Sequence, residues 1–485
     1  MLRSKDINKI SELKNGFTHS WVEPDFIKSS LKSFSFSKLS NCLKPLKQKG
    51  YGIDVVISIL ISLPFKGVST VHSMFGKYVD RQIDAGKDVF YRLKNNPGIC
   101  WRLILWLFAN KFVNIVRKKS SYKETEGLNK CLVFDDSVLH KTGRFIENVS
   151  RVWDHVSNRF VLGFKLLLMG YWDGTSFIPV DFSLHRERGK SKDKPFGLKK
   201  KELKKQFKKK RDKDGHSFER VKEADMNKIT CAIRMFRHAI SCGLQVDYVL
   251  MDSWFTCDAF IDAVLKVKKQ TIHLIGMYKI AKTKFEYGGK MLTYSQLRNV
   301  LGKAKRCRKL GLYYKEATVM HKGKEMKLFF SKQGTNGKWK VFVCTDVRLS
   351  FIKMIEIYQI RWSIEVFFKE AKQLLGLGKS QSNDFDGQIA DLTITMIQHI
   401  ILTLRYRFDT YETKGMLFGE IQAETSNQKL NQRLWGLFIE LLNLIETLFE
   451  GIDMDLLIEK IFQSEEAFER ISIILQNPVE KRKAA

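Results

Sequence analysis

Hydrophobic residues in the first 125 positions recur at the three- and four-residue spacing of amphipathic helices. The segments 54–63, 68–78 and 101–117 show this pattern most clearly. Such spacing gathers the apolar side chains on one face of each helix. The Ser-rich stretch 29–41 is predicted to be a loop or short linker. We therefore expect a helical and basic N-terminal domain.

From residue 131 the pattern changes to short apolar runs, which are typical of buried strands. The run 131–134 is followed directly by Asp135 and Asp136, which predicts a strand that ends at these acids. Two further apolar runs, 160–169 and 175–182, are separated by a Trp-Asp-Gly sequence that favours a tight turn. Together these runs predict an antiparallel meander.

Helix and strand patterns then alternate. A strand over 246–251 ends at Asp252, and it lies between a helical pattern over 224–243 and another over 257–269. After a further strand, the stretch 282–349 has alternating runs separated by glycine-containing pairs, as in hairpins. We expect an α/β fold with a mixed sheet and flanking helices, interrupted by a separate inserted sheet.

The stretch 355–375 predicts one amphipathic helix with a polar stripe beside its apolar face. On a wheel of about 100° per residue, Tyr358, Arg361, Glu365 and Lys372 fall within about 60°. Four such residues suit an ordinary helix with i,i+4 ion pairs. They also suit a site in which Glu365 binds a cation while the basic side chains pair with phosphate oxygens.

Charge indicates the class of partner. The chain has 485 residues, and 84 Lys and Arg against 52 Asp and Glu give a formal net charge of +32. Because so much like charge opposes compaction, we expect a polyanionic partner such as DNA. The 44% hydrophobic content excludes a disordered basic tail protein. The length predicts two or three domains.

Cysteine usage and hydropathy bear on the compartment. The eight cysteines form no CxxC pair, which is typical of reduced thiols in the cytosol. The most apolar windows, 53–65 and 103–116, are shorter or more interrupted than the roughly 20 residues of a membrane span. The N-terminus shows no apolar signal core. We expect a cytoplasmic, nucleoid-associated protein without a membrane partner.

The polar stripe resembles a known signature. Its four residues and three gaps match the YREK signature of bacterial DDE transposases of the family-4 insertion sequences. The Asp-Ser-Trp-Phe sequence at 252–255 resembles the aspartate-bearing strand end of that family. The resemblance covers about residues 130–380 and implies a ribonuclease H-like core.

The resemblance also implies three catalytic acids. Carried over onto this sequence they are Asp135, Asp252 and Glu365, separated by 117 and 113 residues. Asp136 is the alternative first acid; Asp135 is preferred because Ser137 stands two positions later, as in the family pattern. Strand-end aspartates are also common turn formers and helix caps.

Three carboxylates suit a pair of Mg²⁺ ions, for which Mn²⁺ is expected to substitute. Tyr358, Arg361 and Lys372 would bind phosphates beside the cut. Trp339, which we place in the final strand of the inserted sheet, would stack on a DNA base or pack in the core. His140 and Lys141 are either phosphate contacts or surface residues.

The basic segments would bind the DNA backbone. Residues 186–213 carry 15 Lys and Arg against four acids, and 303–315 form a second basic run. Each is either a solvated surface or a strip that lies along phosphates.

We therefore expect a cut-and-paste transposase that binds terminal inverted repeats of double-stranded DNA, as a homodimer in a synaptic complex. The alternatives are a metal-dependent nuclease without strand transfer and a non-catalytic DNA-binding derivative. The expected domains are a DNA-end-binding region, a catalytic core in two pieces, an inserted β-rich subdomain and a helical C-terminal region, at 1–125, 126–281 with 350–385, 282–349, and 386–485.

Overall fold

The computed structural model describes residues 19–20, 25–37, 43, 49–80, 86–120, 127–279, 283–424 and 464. The chain divides into two compact units. Unit 1 comprises Met1–Ser29, Val56–Val89 and Gly415–Ala485, and unit 2 comprises Ser30–Val55 and Phe90–Lys414. Each unit has its own buried aromatic residues.

Helices and strands are numbered along the described residues. The α-helices are α1 (Asp25–Ser33), α2 (Ile53–Ser62), α3 (Val71–Lys77), α4 (Asp88–Lys94), α5 (Trp101–Lys119), α6 (Lys200–Lys204), α7 (His216–Glu223), α8 (Lys228–Ser241), α9 (Asp258–Leu265), α10 (Tyr294–Val300), α11 (Phe351–Gln359), α12 (Trp362–Leu374) and α13 (Phe385–Phe408). The strands are β1 (His19–Ser20), β2 (Tyr78–Asp80), β3 (Cys131–His140), β4 (Ser150–Asp154), β5 (Arg159–Trp172), β6 (Phe177–His185), β7 (Tyr248–Met251), β8 (His273–Tyr278), β9 (Lys284–Tyr287), β10 (Lys290–Thr293), β11 (Lys305–Cys307), β12 (Leu312–His321), β13 (Lys324–Gln333) and β14 (Lys340–Cys344).

Unit 1 is organised around Phe65, which is fully buried. Its ring centroid lies 5.4 Å from that of Phe26 and 5.5 Å from that of Phe418. The side-chain amide of Gln422 also donates a hydrogen bond to the carbonyl of Pro64 (2.7 Å). These contacts bring together three parts of the chain that are distant in sequence. In the same unit β1 pairs with β2 in parallel.

Unit 2 contains one large mixed sheet. In the described part of the chain its order is β10-β9-β12-β13-β14-β8-β7-β3-β5-β4, with β6 on β5 and β11 on β12. Strand β7 pairs in parallel with both β3 and β8, and the crossover between β7 and β8 is the predicted helix, α9. Helices α5 and α13 pack against β6, and α12 packs against β3 and β6. The predicted α/β class with a mixed sheet and helices is confirmed.

The expectation of a separate inserted sheet was wrong. The hairpins predicted at Gly288, Gly323 and Gly337 are present, but β14 pairs antiparallel with β8. The β-rich segment therefore extends the core sheet. An unpaired β8 edge would expose a row of backbone donors and acceptors, and pairing with the apolar β14 covers it.

Three local features of the secondary structure differ from the prediction. Strand β3 does not end at Asp135 but continues to His140, because its whole length pairs with the long apolar strand β5. The short strand β4 was not predicted. Part of the predicted loop 29–41 is helical in α1.

The predicted helix over 355–375 is two helices, α11 and α12. Around residues 360–361 the backbone N–H groups bond to the carbonyl three residues earlier, as in a 3₁₀ turn. Arg361 therefore stands at the junction, immediately before α12. In the described residues, no helix combines the length and apolarity that a bilayer-spanning segment requires.

Candidate active site

Two of the predicted acids stand side by side on adjacent parallel strands. The last paired positions of β3 and β7 are Phe134 and Met251. Asp135 and Asp252 directly follow these two positions in the chain, so the parallel register brings both carboxylates to the same place at the sheet. Asp135 is interior to β3, whereas Asp252 follows the end of β7 as predicted.

The turn after β7 fixes the Asp252 carboxylate. Its Oδ1 accepts hydrogen bonds from the backbone N–H groups of Trp254 (2.8 Å) and Phe255 (3.2 Å). The Thr256 hydroxyl donates to the Asp252 carbonyl (2.7 Å). Asp252 is therefore also a turn former, which was the alternative interpretation of this residue. The two roles are compatible because the turn uses one carboxylate oxygen.

Gly276, on the neighbouring strand β8, makes room for this turn. A Cβ atom at this position would lie 2.2 Å from Oγ1 of Thr256, which is far inside van der Waals contact. Neither Gly276 nor Thr256 was predicted from the sequence to shape the site. A glycine inside an otherwise apolar strand is the only signal that could have indicated a close approach.

Arg361 connects the first acid to the third. Its guanidinium donates one hydrogen bond to Oδ2 of Asp135 (3.1 Å) and another to Oε1 of Glu365 (2.5 Å). The i,i+4 spacing on the predicted stripe accounts for the second contact, and the packing of α12 against β3 accounts for the first. Residues 226 positions apart in sequence thus meet at one guanidinium.

Asp136, the alternative first acid, lies on the opposite face of β3. Successive side chains of a strand point to opposite faces. Asp136 is accordingly bound by the ammonium of Lys228 and lies 4.0 Å from that of Lys165. Lys228 also stands 3.9 Å from the ring centroid of Trp254. Asp135 therefore shares a face with Arg361, and Asp136 does not.

The other two residues of the stripe also have partners within the protein. The hydroxyl of Tyr358, a buried residue, donates to the carbonyl of Met251 (3.3 Å) at the end of β7. The ammonium of Lys372 donates to the hydroxyl of Ser137 (2.7 Å), two positions along β3 from Asp135. The stripe thus packs onto the middle of β3 and the end of β7, beside the two aspartates.

The pKa of Asp135 lies well above the usual value for an aspartate. Burial, followed by the negative charge of Asp252, raises the pKa of Asp135 to about 7. Arg361 opposes this shift but does not cancel it. Near neutral pH, the buried carboxyl of Asp135 therefore loses its proton beside the negative charge of Asp252.

Replacing Asp135 with asparagine should stabilise the protein in a pH-dependent way. The folded state keeps the Asp135 proton up to about pH 7, whereas an unfolded chain releases it near pH 4. The contribution of this group to stability therefore falls as pH rises between these values. In EDTA we expect the free energy of unfolding of D135N, relative to that of the wild type, to be about 1–3 kcal/mol higher at pH 8 than at pH 5. Thermal unfolding at both pH values measures this difference.

Asp136→Asn is the matched control, because it removes a carboxylate that two lysines neutralise. It should lower the melting temperature at pH 8. An Asp135→Asn gain that is the same at pH 5 and pH 8 would contradict the assigned acidity.

The carboxylates of Asp135, Asp252 and Glu365 differ in how well they are placed to bind a divalent cation. Mg²⁺ prefers carboxylate oxygens, and Asp135 and Asp252 offer them from rigid strands with a mutual repulsion that a cation would relieve. Glu365 is held at the same place but through the guanidinium of Arg361. Among the described residues, no three His, Cys, Asp or Glu side chains are grouped closely enough to hold a metal ion. The two aspartates thus fit a cation directly, and Glu365 is separated from Asp135 by Arg361.

Trp339 lies away from these acids, in the turn between β13 and β14. It precedes β14 rather than lying in it, which corrects its predicted position. Its half-buried ring has the cationic groups of Lys332, Lys315 and Arg298 at 5.1, 5.9 and 5.8 Å from the centroid. An aromatic ring with three cations nearby has the chemistry of a nucleotide contact.

Lys141 is neither a phosphate contact nor a surface residue. It is 5% exposed, and its ammonium donates to the carbonyls of Gly378 (2.9 Å) and Ser380 (2.6 Å). Burial lowers the pKa of Lys141 to about 8. This lysine therefore anchors the loop that follows α12. His140 is exposed, 3.7 Å from the carboxylate of Asp154.

The basic segment 186–213 is mostly a surface. Three of its 15 basic residues form ion pairs within the protein: Arg186 with Asp225, Lys209 with Asp384 and Asp386, and Arg211 with Glu147. The other basic residues are exposed: Arg188, Lys190, Lys192, Lys194, Lys199, Lys200, Lys201, Lys204, Lys205, Lys208, Lys210 and Lys213. We call these twelve residues the basic strip.

Two known protein families are similar to the part of the chain that contains Asp135, Asp252 and Glu365. A transposase DDE domain model matches residues 192–401, and a DDE superfamily endonuclease model matches residues 107–274. Asp252 lies in both ranges, Glu365 in the first and Asp135 in the second. No curated protein matches the chain. The two matches support a DDE transposase or endonuclease, an enzyme class that acts on DNA and generally uses divalent metal ions.

Proposed function

We propose that this protein is an insertion-sequence DNA transposase of the YREK type, with a ribonuclease H-like catalytic core. The observation that carries the proposal is the meeting of Asp135, Arg361 and Glu365 beside Asp252. Two aspartates lie side by side there, and Arg361 links the first of them to the glutamate of α12, within the regions similar to DDE domains. The signature match at residues 358–372 supports the assignment to the family-4 insertion sequences.

Asp135, Asp252 and Glu365 would hold two Mg²⁺ ions, or Mn²⁺ in their place. When bound, such a pair activates a water or a 3′-hydroxyl and stabilises the leaving oxygen of an in-line displacement. Strands β3 and β7 hold the aspartates rigidly, and α12 supplies the glutamate. Arg361 and Lys372 would orient the phosphates beside the cut, and Tyr358 would support that position from the end of β7.

The remaining contacts would bind DNA without reading its sequence. The basic strip and the basic residues of 303–315 would lie along the phosphate backbone, so binding should weaken as salt increases. Trp339, with its neighbouring cations, would stack on an unpaired base. The region 1–125 would recognise the terminal inverted repeats. We place the active form as a homodimer on nucleoid DNA, because joining requires two element ends together.

Strand transfer distinguishes the proposal from its alternatives. The protein is incubated with Mg²⁺, a linear DNA carrying the terminal inverted repeats of its element, and a supercoiled plasmid. We expect covalently joined products that require the element ends and are absent with scrambled ends. Cleavage without joining would indicate a metal-dependent nuclease, which the endonuclease model match favours as the second candidate. Binding without cleavage would indicate a non-catalytic derivative.

A further inference from the structure

We propose that Arg361 couples metal binding to DNA binding at this site. Its guanidinium is a resident cation that competes with divalent ions for Asp135 and Glu365, and a DNA phosphate releases it. The inference rests on the proposed function, since it concerns the regulation of the same site. Arg361 would bind the carboxylates of Asp135 and Glu365 in the absence of DNA and a DNA phosphate in its presence.

The contacts of Arg361 make it a competitor. It uses Oδ2 of Asp135 and Oε1 of Glu365, which are oxygens that a divalent ion would also require. The side chains of Arg361 and Asp135 are only 16% and 18% exposed, so water screens these contacts weakly. A guanidinium remains charged at all physiological pH values. It therefore has to leave before both carboxylates can bind the same ion.

The position of Arg361 in the chain suits a side chain that changes partner. It stands at the 3₁₀ junction between α11 and α12, and the next residue, Trp362, is 61% exposed. The side chain of Arg361 is itself 16% exposed, so part of it is open to an approaching DNA phosphate. Phosphate accepts the same paired hydrogen bonds as a carboxylate, so the exchange costs Arg361 little.

The exchange has a thermodynamic consequence. If DNA withdraws Arg361 from the acids, DNA strengthens metal binding, and metal strengthens DNA binding by the same factor. Without DNA, the arginine neutralises the acids and weakens metal binding. The site would then be loaded mainly when a phosphodiester is present.

Direct measurement of Mn²⁺ binding tests the coupling without relying on activity. Titrations followed by electron paramagnetic resonance compare the full-length wild type with Arg361→Ala, with and without a short double-stranded oligonucleotide. We expect R361A to bind Mn²⁺ about tenfold more tightly without DNA, within the usual range of coupling between sites. The oligonucleotide should strengthen Mn²⁺ binding in the wild type and not in the variant.

The controls separate this inference from the proposed function. Arg348→Ala removes an exposed arginine that pairs with Asp346 and should leave Mn²⁺ binding unchanged. Arg361→Gln, which keeps hydrogen-bonding capacity without charge, should behave as R361A and serves if the alanine variant does not fold. Equal or weaker Mn²⁺ binding by both Arg361 variants would overturn the coupling. Full Mn²⁺ binding by Asp135→Asn and Glu365→Gln would instead overturn the metal site itself.

Discussion

Replacing Glu365 with glutamine should lower the rate of DNA cleavage by about 10²–10³-fold or more. The substitution keeps the size of the side chain and a hydrogen-bond acceptor for Arg361, but removes the charge that a divalent ion requires. DNA binding should change little, because the substitution leaves the basic strip and its proposed phosphate contacts intact. Cleavage of end-bearing DNA and gel-shift binding are measured on the same preparation.

Glu356→Gln is the matched control. Glu356 lies on α11, and its carboxylate pairs with Lys309 (2.7 Å) away from the acids. This variant should cleave DNA at nearly the rate of the wild type. If Glu365→Gln also kept wild-type cleavage, the third acid would be misassigned, however well the signature spacing fits.

The second large effect concerns stability rather than chemistry. Arg211→Met should destabilise unit 2 by about 3–5 kcal/mol. The guanidinium is 4% exposed and makes two 2.6 Å hydrogen bonds to the carboxylate of Glu147. It also lies 3.5 Å from Asp384 and 3.4 Å from Asp386. Without it, three carboxylates would be buried together with only Lys209 to neutralise them.

Lys210→Met, one position earlier, provides the comparison. Lys210 is exposed, so its loss should change the free energy of unfolding by less than about 0.5 kcal/mol. Chemical denaturation of both variants gives the two values. Equal stabilities would mean that the buried ion-pair network around Arg211 contributes nothing. Lys210→Met should instead weaken DNA binding slightly, since it belongs to the basic strip.

The difference in burial between the neighbouring residues Lys210 and Arg211 could not be predicted from the sequence. Fifteen basic residues in 28 positions predict a charged surface, and twelve of them are exposed. Nothing in that pattern separates Arg211 from Lys210. The difference depends on Glu147, Asp384 and Asp386, which the fold brings to this place from distant parts of the chain.

The separation of Asp135 from Asp136 is similar. The apolar run before them predicted a strand, and a strand sends neighbouring side chains to opposite faces. Which face carries Arg361 depends on the register of β3 with β5 and β7 and on the packing of α12. The position at which a strand ends also depends on residues distant in sequence. Strand β3 continues through Asp135 and Asp136 because β5 pairs with it.

The amino-acid sequence by itself determined the local features of this protein: the strand that ends at Asp252, the hairpins after residue 283, and the spacing that lets Arg361 reach Glu365. These depend on periodicity and turn chemistry within a few residues. Only the tertiary structure decided that the β-rich segment continues the core sheet, that Arg361 also holds Asp135, and that the side chain of Arg211 is buried. Each of these depends on partners more than 60 positions away, and pairing at that distance is a property of the folded chain as a whole.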